Sequence, residues 1–379
     1  MSVFIIDISG KVNNYDCSLC NSLCKLVDIT LVAQLEGLDY LEKKLKLIHL
    51  VPKKYKSSEN IGKRIVKSIE CLINYLFVFV LIFKKNPSIL HFQWFPFIEF
   101  CSIENYYVAL IKTLRPKQKI VLTVHNVFPH EMSPSRREKY KKRFLNMDQY
   151  IDHYIVHVDS SKQEILNEFG VAQQRITVIP HGIFTPDYKP RYKSTYDGRH
   201  IIVYGYNSPY KGTDVLLDAL QLMPSEEKKT ISLTIAGKMS DDYYSQLQTK
   251  MKGLNVEIIP TYIPDQQLYE MIDKADYIAL PYRKISQSGV LLLALYFRKP
   301  LFVSNLPSFV ETLKGFTEDM FFESENAESL KDLIERHFNK VVDVEKQLEA
   351  ISQLITLYSW DESARKTSMV YERISNNMV

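Results

Sequence analysis

Val203–Gly212 reads VYGYNSPYKG, and its residue types at this spacing can hold an anion. A β-branched run ends in a loop with Gly205, Asn207 and Pro209, and Lys211-Gly212-Thr213 then opens a helical pattern. Glycine lets a ligand approach the backbone closely, and the free N–H groups of a helix start already favour negative charge. A lysine there suits a phosphate; the plainer alternative is a surface lysine beside an ordinary turn. Tyr277–Pro300, YIALPYRKISQSGVLLLALYFRKP, repeats the logic. A strand ends at Pro281, a polar loop with Ser286 and Gln287 follows, and an apolar helix starts near Ser288-Gly289. The amides of Ser288, Gly289 and Val290 are then open to a diphosphate, with Arg283 or Lys284 adding charge. The alternative is Ser288 as an N-cap with no ligand.

Val121–Glu131, VLTVHNVFPHE, brings His125 and Asn126 to the carboxyl end of a strand. A histidine there can donate to a phosphate or a sugar hydroxyl, or it can serve as a cap. His91-Phe92-Gln93-Trp94 ends the preceding strand in the same way, with Trp94 either stacking on a sugar ring or sitting in the core. Cys17, Cys20 and Cys24 lie at helical spacing with no fourth ligand nearby, so they read as small apolar residues of a first helix. Pro134 stands where an HExxH motif would need histidine, and no GxGxxG, GxxxxGK[ST] or Asp-x-Asp occurs. Neither a metal nor a cofactor is expected.

These segments need strands to deliver them. Short apolar runs at Val3–Ile8, Ile29–Ala33, Ile89–Phe92, Ile120–Val124, Tyr154–Val158 and Ile176–Ile179 alternate with helical patterns such as Ile61–Phe83 and Ser161–Phe169. That alternation predicts a parallel sheet covered on both faces. Phe184–His200 interrupts it with Pro, Tyr and charge, and reads as a linker. Alternation resumes with strands at Ile201–Tyr204, Ser232–Ala236, Val256–Ile259, Tyr277–Leu280 and Leu301–Ser304, and the chain from about Ala327 is helical. The expected fold is α/β, with two doubly wound Rossmann-like domains facing across a cleft. Strand carboxyl ends make that cleft the default site. The domains expected are 1–183 and 201–359, joined by the linker 184–200.

Composition excludes several classes. The 379 residues are 46% hydrophobic and 24% charged, which is neither fibrous nor disordered. Five cysteines bunched in the first 101 residues are not a secreted disulfide framework. MSVFIIDISG lacks the basic start of a signal peptide, so a cytosolic location is expected. Residues 1–185 carry a net charge of +8 and the remainder −4, which suggests that the first half meets something anionic. Cys71–Phe83, CLINYLFVFVLIF, has basic flanks. It is either a buried core helix or a helix lying on an anionic membrane, too short to span one. The basic run Ser135–Phe144 reads better as a solvated face than as a nucleic-acid site.

Taken together, these segments resemble the retaining glycosyltransferases of family 4, which share the two-domain GT-B fold. The resemblance covers almost the whole chain and rests on VYGYNSPYKGTDVLLDAL, on VIPHGIF at 178–184 and on the stretch 280–311 with Ala294 and Pro300. Ser160-Ser161-Lys162 and Trp360 also fit. It implies that a closing helix from about 360 to 379 returns to the first domain. It implies a nucleotide-diphosphate sugar, UDP- or GDP-linked, bound mainly by the second domain. The base would lie near Thr261–Pro264 with Tyr262, and the diphosphate near Gly205, Asn207, Lys211 and Ser286–Val290. His125, Lys211 and Arg283 would act in catalysis. A saccharide acceptor, of a polyprenyl-linked kind, would meet Asn13, Asn14, Trp94 and His125 for bacterial surface polysaccharide. The family's two glutamates fall here on Ile285 and Leu293. An inactive module that binds a partner or saccharide is therefore the second reading, and a nucleotide-sugar epimerase a third.

Overall fold

The computed structural model describes residues 1–34, 41–52, 61–129, 132–191, 198–285, 288–313 and 318–376. The chain divides into two compact units, Met1–Gly182 with Ser359–Val379, and Ile183–Tyr358. In the first unit the order is β1 (Ser2–Asp7), α1 (Asn13–Leu23), β2 (Asp28–Ala33), β3 (Lys46–His49), α2 (Ile61–Lys85), β4 (Ile89–Trp94), α3 (Ile103–Leu114), β5 (Lys119–Thr123), α4 (Pro134–Asp148), β6 (His153–Val156), α5 (Asp159–Phe169) and β7 (Ile176–Val178). Seven strands form a parallel sheet in the order β3-β2-β1-β4-β5-β6-β7. Such strands are apolar throughout because helices cover both faces, and in β1 Val3, Phe4, Ile5 and Ile6 are all buried. Tyr75, Val78 and Ile82 of α2, Val108 of α3, Phe144 of α4 and Ile165 of α5 pack together on one face.

The second unit runs β8 (His200–Tyr204), α6 (Thr213–Gln221), α7 (Ser225–Thr230), β9 (Ser232–Ala236), α8 (Asp241–Lys250), β10 (Asn255–Ile259), α9 (Asp265–Lys274), β11 (Tyr277–Leu280), α10 (Gly289–Phe297), β12 (Leu301–Ser304), α11 (Pro307–Thr312), β13 (Phe321–Phe322), α12 (Ala327–Phe338) and α13 (Val344–Leu357). Its six parallel strands lie in the order β10-β9-β8-β11-β12-β13. The last helix, α14 (Trp360–Ser375), belongs to the first unit and packs on α1, where the Tyr371 hydroxyl lies 2.5 Å from His91 Nδ1.

Three expectations change. Residues 184–191 are no free tether. The Tyr188 hydroxyl donates to Asp273 at 3.1 Å, the Arg191 amide donates to Asp273 at 2.9 Å, and Tyr296 donates to the Tyr188 carbonyl at 2.7 Å. Tyrosines spaced for a solvated linker instead anchor it to the second unit. The helix containing Cys71–Phe83 starts at Ile61 as its pattern indicates, but it is not too short to span a bilayer, as its apolar run alone suggested. It extends over 25 residues because Lys63, Arg64 and Lys67 continue the amphipathic period. By length and composition alone it is the one helix among the described residues that can cross a bilayer. Its inward face belongs to the core, and its outward face is exposed. Strand β3 carried no sequence signal, since KLIH is short and only half-buried at the sheet edge.

Gly182 shows how α14 is held. A Cβ built there would lie 2.4 Å from the Trp360 ring. Trp360 itself packs against His181 and Tyr15 at ring distances of 4.9 and 5.3 Å. Gly182→Ala must push the indole out of that packing. We expect a loss of about 1–3 kcal/mol, the usual cost of overpacking a core. Urea unfolding followed by tryptophan fluorescence measures it, and unchanged stability would contradict the packing argument.

Candidate functional site

In the second unit the loop after β8 is fixed by glycines. Gly205 has φ +93°, and its amide donates to the Ala236 carbonyl at 3.0 Å. Gly237, at φ +134°, lies so close that a Cβ there would sit 2.1 Å from the Gly205 carbonyl. Gly212, at φ +66°, admits the Pro281 carbonyl in the same way, at 1.8 Å from a notional Cβ. The loops after β8 and β11 are thereby locked together, and the Arg283 amide donates to the Tyr210 carbonyl at 2.8 Å.

Lys211 is the chemical centre of this arrangement. It lies on a single 3-10 turn, Pro209–Lys211, one step before α6, and its side chain turns inward to 3% exposure. Its Nζ donates to the Tyr204 carbonyl at 3.2 Å and stands 5.2 Å from the centre of the Tyr282 ring. A side chain at Gly205 would meet that ammonium at 2.8 Å and Val290 at 3.2 Å. Gly205, Lys211 and the start of α10 are therefore neighbours. Burial lowers the Lys211 pKa to about 8, and no carboxylate among the described residues pairs with it to offset this. Ser288 caps α10 by accepting from the Leu291 amide at 3.1 Å, which leaves the Gly289 and Val290 amides without intrahelical acceptors. The Ser288 cap and the open amides are thus compatible rather than alternatives.

Two expected ligand contacts have other partners. Asn207 is fully buried: its amide side chain donates to the Gly205 carbonyl at 3.1 Å and accepts from the Thr213 hydroxyl at 3.1 Å. It braces the loop from within. Arg283 forms a two-pronged ion pair with Asp214 at 2.8 and 2.6 Å, so its charge is already matched. Tyr262 is 75% exposed in the loop after β10. Ser286 and Gln287 lie outside the described residues.

In the first unit, strand ends gather a histidine cluster. His157 Nδ1 lies 3.0 Å from the Ile179 carbonyl, and His157 Nε2 lies 3.2 Å from His125 Nδ1. A carbonyl only accepts, so His157 must carry its proton on Nδ1. Burial lowers the His157 pKa to about 4, so the ring is neutral and its Nε2 accepts from His125. Burial and the neighbouring histidines hold His125 well below the usual range. Its proton is therefore on Nδ1, and its Nε2 is a bare lone pair with no hydrogen-bond partner among the described residues. Tyr15 packs against the rings of His125, His157 and His181 at 4.8, 5.2 and 5.0 Å. A small open pocket of about 40 Å³ is lined here by Trp94, Thr123, His125, Asn126 and Tyr140.

The other acceptor candidates fare unevenly. Trp94 carries the Lys11 ammonium over its ring at 3.9 Å, so that face is already covered. Asn13 is tied by its side chain to the Gln34 carbonyl at 2.9 Å, whereas Asn14 is exposed. Sequence reasoning missed Lys11, His157 and the buried Asp7 and Asp16 at the start of the same layer. Burial raises the Asp16 pKa well above the usual carboxylate range, with Asp7 adding to the effect. Among the described residues, no three His, Cys, Asp or Glu side chains group as metal ligands would.

Comparison with known proteins agrees with this layout. Residues 12–185 match the model "Glycosyltransferase Family 4", and residues 185–353 match "Glycosyl transferases group 1". A GDP-mannose:glycolipid 4-beta-D-mannosyltransferase of Xanthomonas campestris pv. campestris is 26% identical over 196 residues, 51% of this chain and 52% of that one. The match thus spans about half the length of this curated relative. A glycosyltransferase from Rickettsia africae has the same fold, with a TM-score of 0.68 at 17% identity over 98% of both chains. So does Anabaena HepE in complex with UDP and glucose, at 0.67 and 13% identity over 98% of this chain and 99% of that one. The two family models together take in residues 12–353, and they indicate a glycosyltransferase of the GT-B fold.

Proposed function

We propose that the chain transfers a sugar from a nucleotide-diphosphate donor to a glycolipid acceptor in bacterial surface polysaccharide synthesis, on the cytoplasmic side of a membrane. The observation that carries this reading is the buried Lys211 ammonium, with no carboxylate partner among the described residues, beside Gly205 and the open amides of α10. A diphosphate is the ligand that would match all three. As the glycosidic bond breaks, charge grows on the departing diphosphate, and fixed N–H dipoles with one ammonium stabilise it without reorganising. The exposed Tyr262 offers a face for the base. No step in this reading needs a metal. The acceptor side draws on the first unit, with His125 and Asn126 lining its pocket and Lys11 beside them over Trp94. A lipid-linked saccharide fits the +8 charge of residues 1–185 and the glycolipid in the names of both curated relatives.

Stereochemistry has two readings. Retention is what the family 4 resemblance implies. The acceptor oxygen then attacks on the face the diphosphate leaves, and its proton passes to a departing phosphate oxygen. Inversion is favoured by one observation: both curated relatives are named for a β-mannoside made from GDP-mannose. From a donor whose sugar is α-linked, a β product is an inversion. The acceptor oxygen would then attack from the opposite face, the C–O bond to the diphosphate would break toward phosphate, and the hydroxyl proton needs a base. His125 Nε2, a buried lone pair without a partner among the described residues, is the base this reading assigns.

Two measurements test these statements. A thermal-shift panel of UDP, GDP, ADP and their sugars identifies the base, since a ligand of the folded state raises the melting temperature. Lys211→Ala should then weaken binding of that nucleotide at least about tenfold and lower kcat/KM by about 10²–10³-fold. Unchanged affinity would sink the phosphate assignment, and tight binding without turnover would favour the inactive module. Proton NMR of the product reads its anomeric configuration directly. A β product with an α donor, together with a fall in kcat of about 10²–10⁴-fold in His125→Gln, supports inversion. An α product supports retention and leaves His125 a binding role.

A further inference from the structure

The outer face of α2 exposes a continuous row of apolar side chains. Ile65, Ile69, Leu72, Leu76, Val80 and Phe83 follow one another at three- and four-residue steps, and all are exposed, Leu76 by 67%. The opposite side of the same helix, with Tyr75, Val78, Leu81 and Ile82, is part of the core of the first unit. Helix α3 continues the face. Tyr107 packs against Tyr75 and Phe79 at 4.7 and 6.2 Å, and Arg115 donates to the Ile82 carbonyl at 2.8 Å, so the two helices are neighbours. Along α3, Tyr106, Leu110 and Leu114 are exposed in turn. A surface this apolar and this continuous is not the scatter of single residues that soluble proteins carry.

Charge around the face selects its occupant. The only carboxylates in α2 and α3 are Glu70 and Glu104, and both are buried. Lys84 and Lys85 stand exposed at the C-terminal end of α2. Beyond α3 lies α4, whose Arg136, Lys139 and Lys142 are exposed, with Arg136 over the exposed Phe100 ring. A second copy docked through α2 and α3 would bring no exposed carboxylate of those helices to these cations. An anionic bilayer meets both requirements at once: acyl chains for the apolar stripe, and headgroup phosphates for the cationic rim.

We propose that the outer face of α2 and α3, rimmed by the cations of α4, docks the first unit flat on an anionic lipid surface without spanning it. The core position of the inner face of α2 keeps the helix in the plane of the interface. Docking extends the transferase reading but does not depend on it, because it is measured without donor or acceptor.

The test is co-sedimentation of the full chain with vesicles of phosphatidylethanolamine and phosphatidylglycerol, against vesicles of phosphatidylcholine alone. We expect at least about tenfold tighter binding to the anionic vesicles, weakened by salt. Leu76→Asp/Val80→Asp should abolish it, and Lys84→Glu/Lys85→Glu should reduce it at least about tenfold. Both variants change exposed residues, and an unaltered melting temperature with unaltered nucleotide binding checks that they fold. Three results would overturn the proposal: no binding to anionic vesicles, equal binding by Leu76→Asp/Val80→Asp, or resistance of bound protein to alkaline carbonate, which marks a spanning helix. A lipid-free dimer dispersed by Leu76→Asp/Val80→Asp would also overturn it, by giving the face to a second copy.

Discussion

A lysine ammonium taken out of water, with no carboxylate beside it among the described residues, is the constraint around which the second unit is arranged. Lys211 is held with its pKa near 8, against an ordinary value of 10.5. Below pH 8 the ligand-free fold therefore carries an unfavourable charge on the order of 3 kcal/mol. The sign follows from the direction of the shift. The unfolded chain keeps the proton up to its higher pKa, so the cost is present below about pH 8 and fades as pH rises toward 10.5. A single carbonyl and the face of a tyrosine ring offset only part of it. The fold retains this cost where an anion can remove it, and the diphosphate proposed at the α10 amides would be such an anion.

The surrounding glycines follow from the same constraint. Gly205 leaves the ammonium its space, Gly237 lets the neighbouring strand end close up, and Gly212 brings the loop after β11 against the loop after β8. Asn207 and the Arg283–Asp214 pair then fix both loops from behind. Residues that look like ligand groups by type thus serve as the frame. The histidine relay in the first unit works in the same way. One backbone carbonyl at Ile179 sets the tautomer of His157, which sets that of His125 and leaves its Nε2 lone pair without a partner among the described residues.

Much of this was legible in the sequence, for identifiable reasons. Parallel strands buried on both faces are apolar throughout, so Ser232–Ala236, Tyr277–Leu280 and Leu301–Ser304 emerged with their observed ends. Lys211 and the α10 start were visible because a strand, a turn and a helix cap follow each other locally. The internal partners of Arg283 and Asn207, Asp214 and the Gly205 carbonyl with the Thr213 hydroxyl, were not legible because the packing of loops sets them. Lys11 and His157 were missed because short-range patterns do not tell which strand ends will be neighbours. The α2 stripe was half-legible: its apolar run was plain, but only the packing of Tyr75 and Val78 decides which side is left outside.

The most direct test of this account is the pH dependence of nucleoside diphosphate affinity, measured by calorimetry between pH 7.5 and 9. If the diphosphate neutralises Lys211, binding takes up a proton once the free ammonium begins to titrate near pH 8. Affinity should then hold steady up to about pH 8 and fall above it, by at most about tenfold per pH unit. In Lys211→Met the affinity should be lower and this slope absent. Equal affinity and an equal slope in the two proteins would contradict the central role given to Lys211.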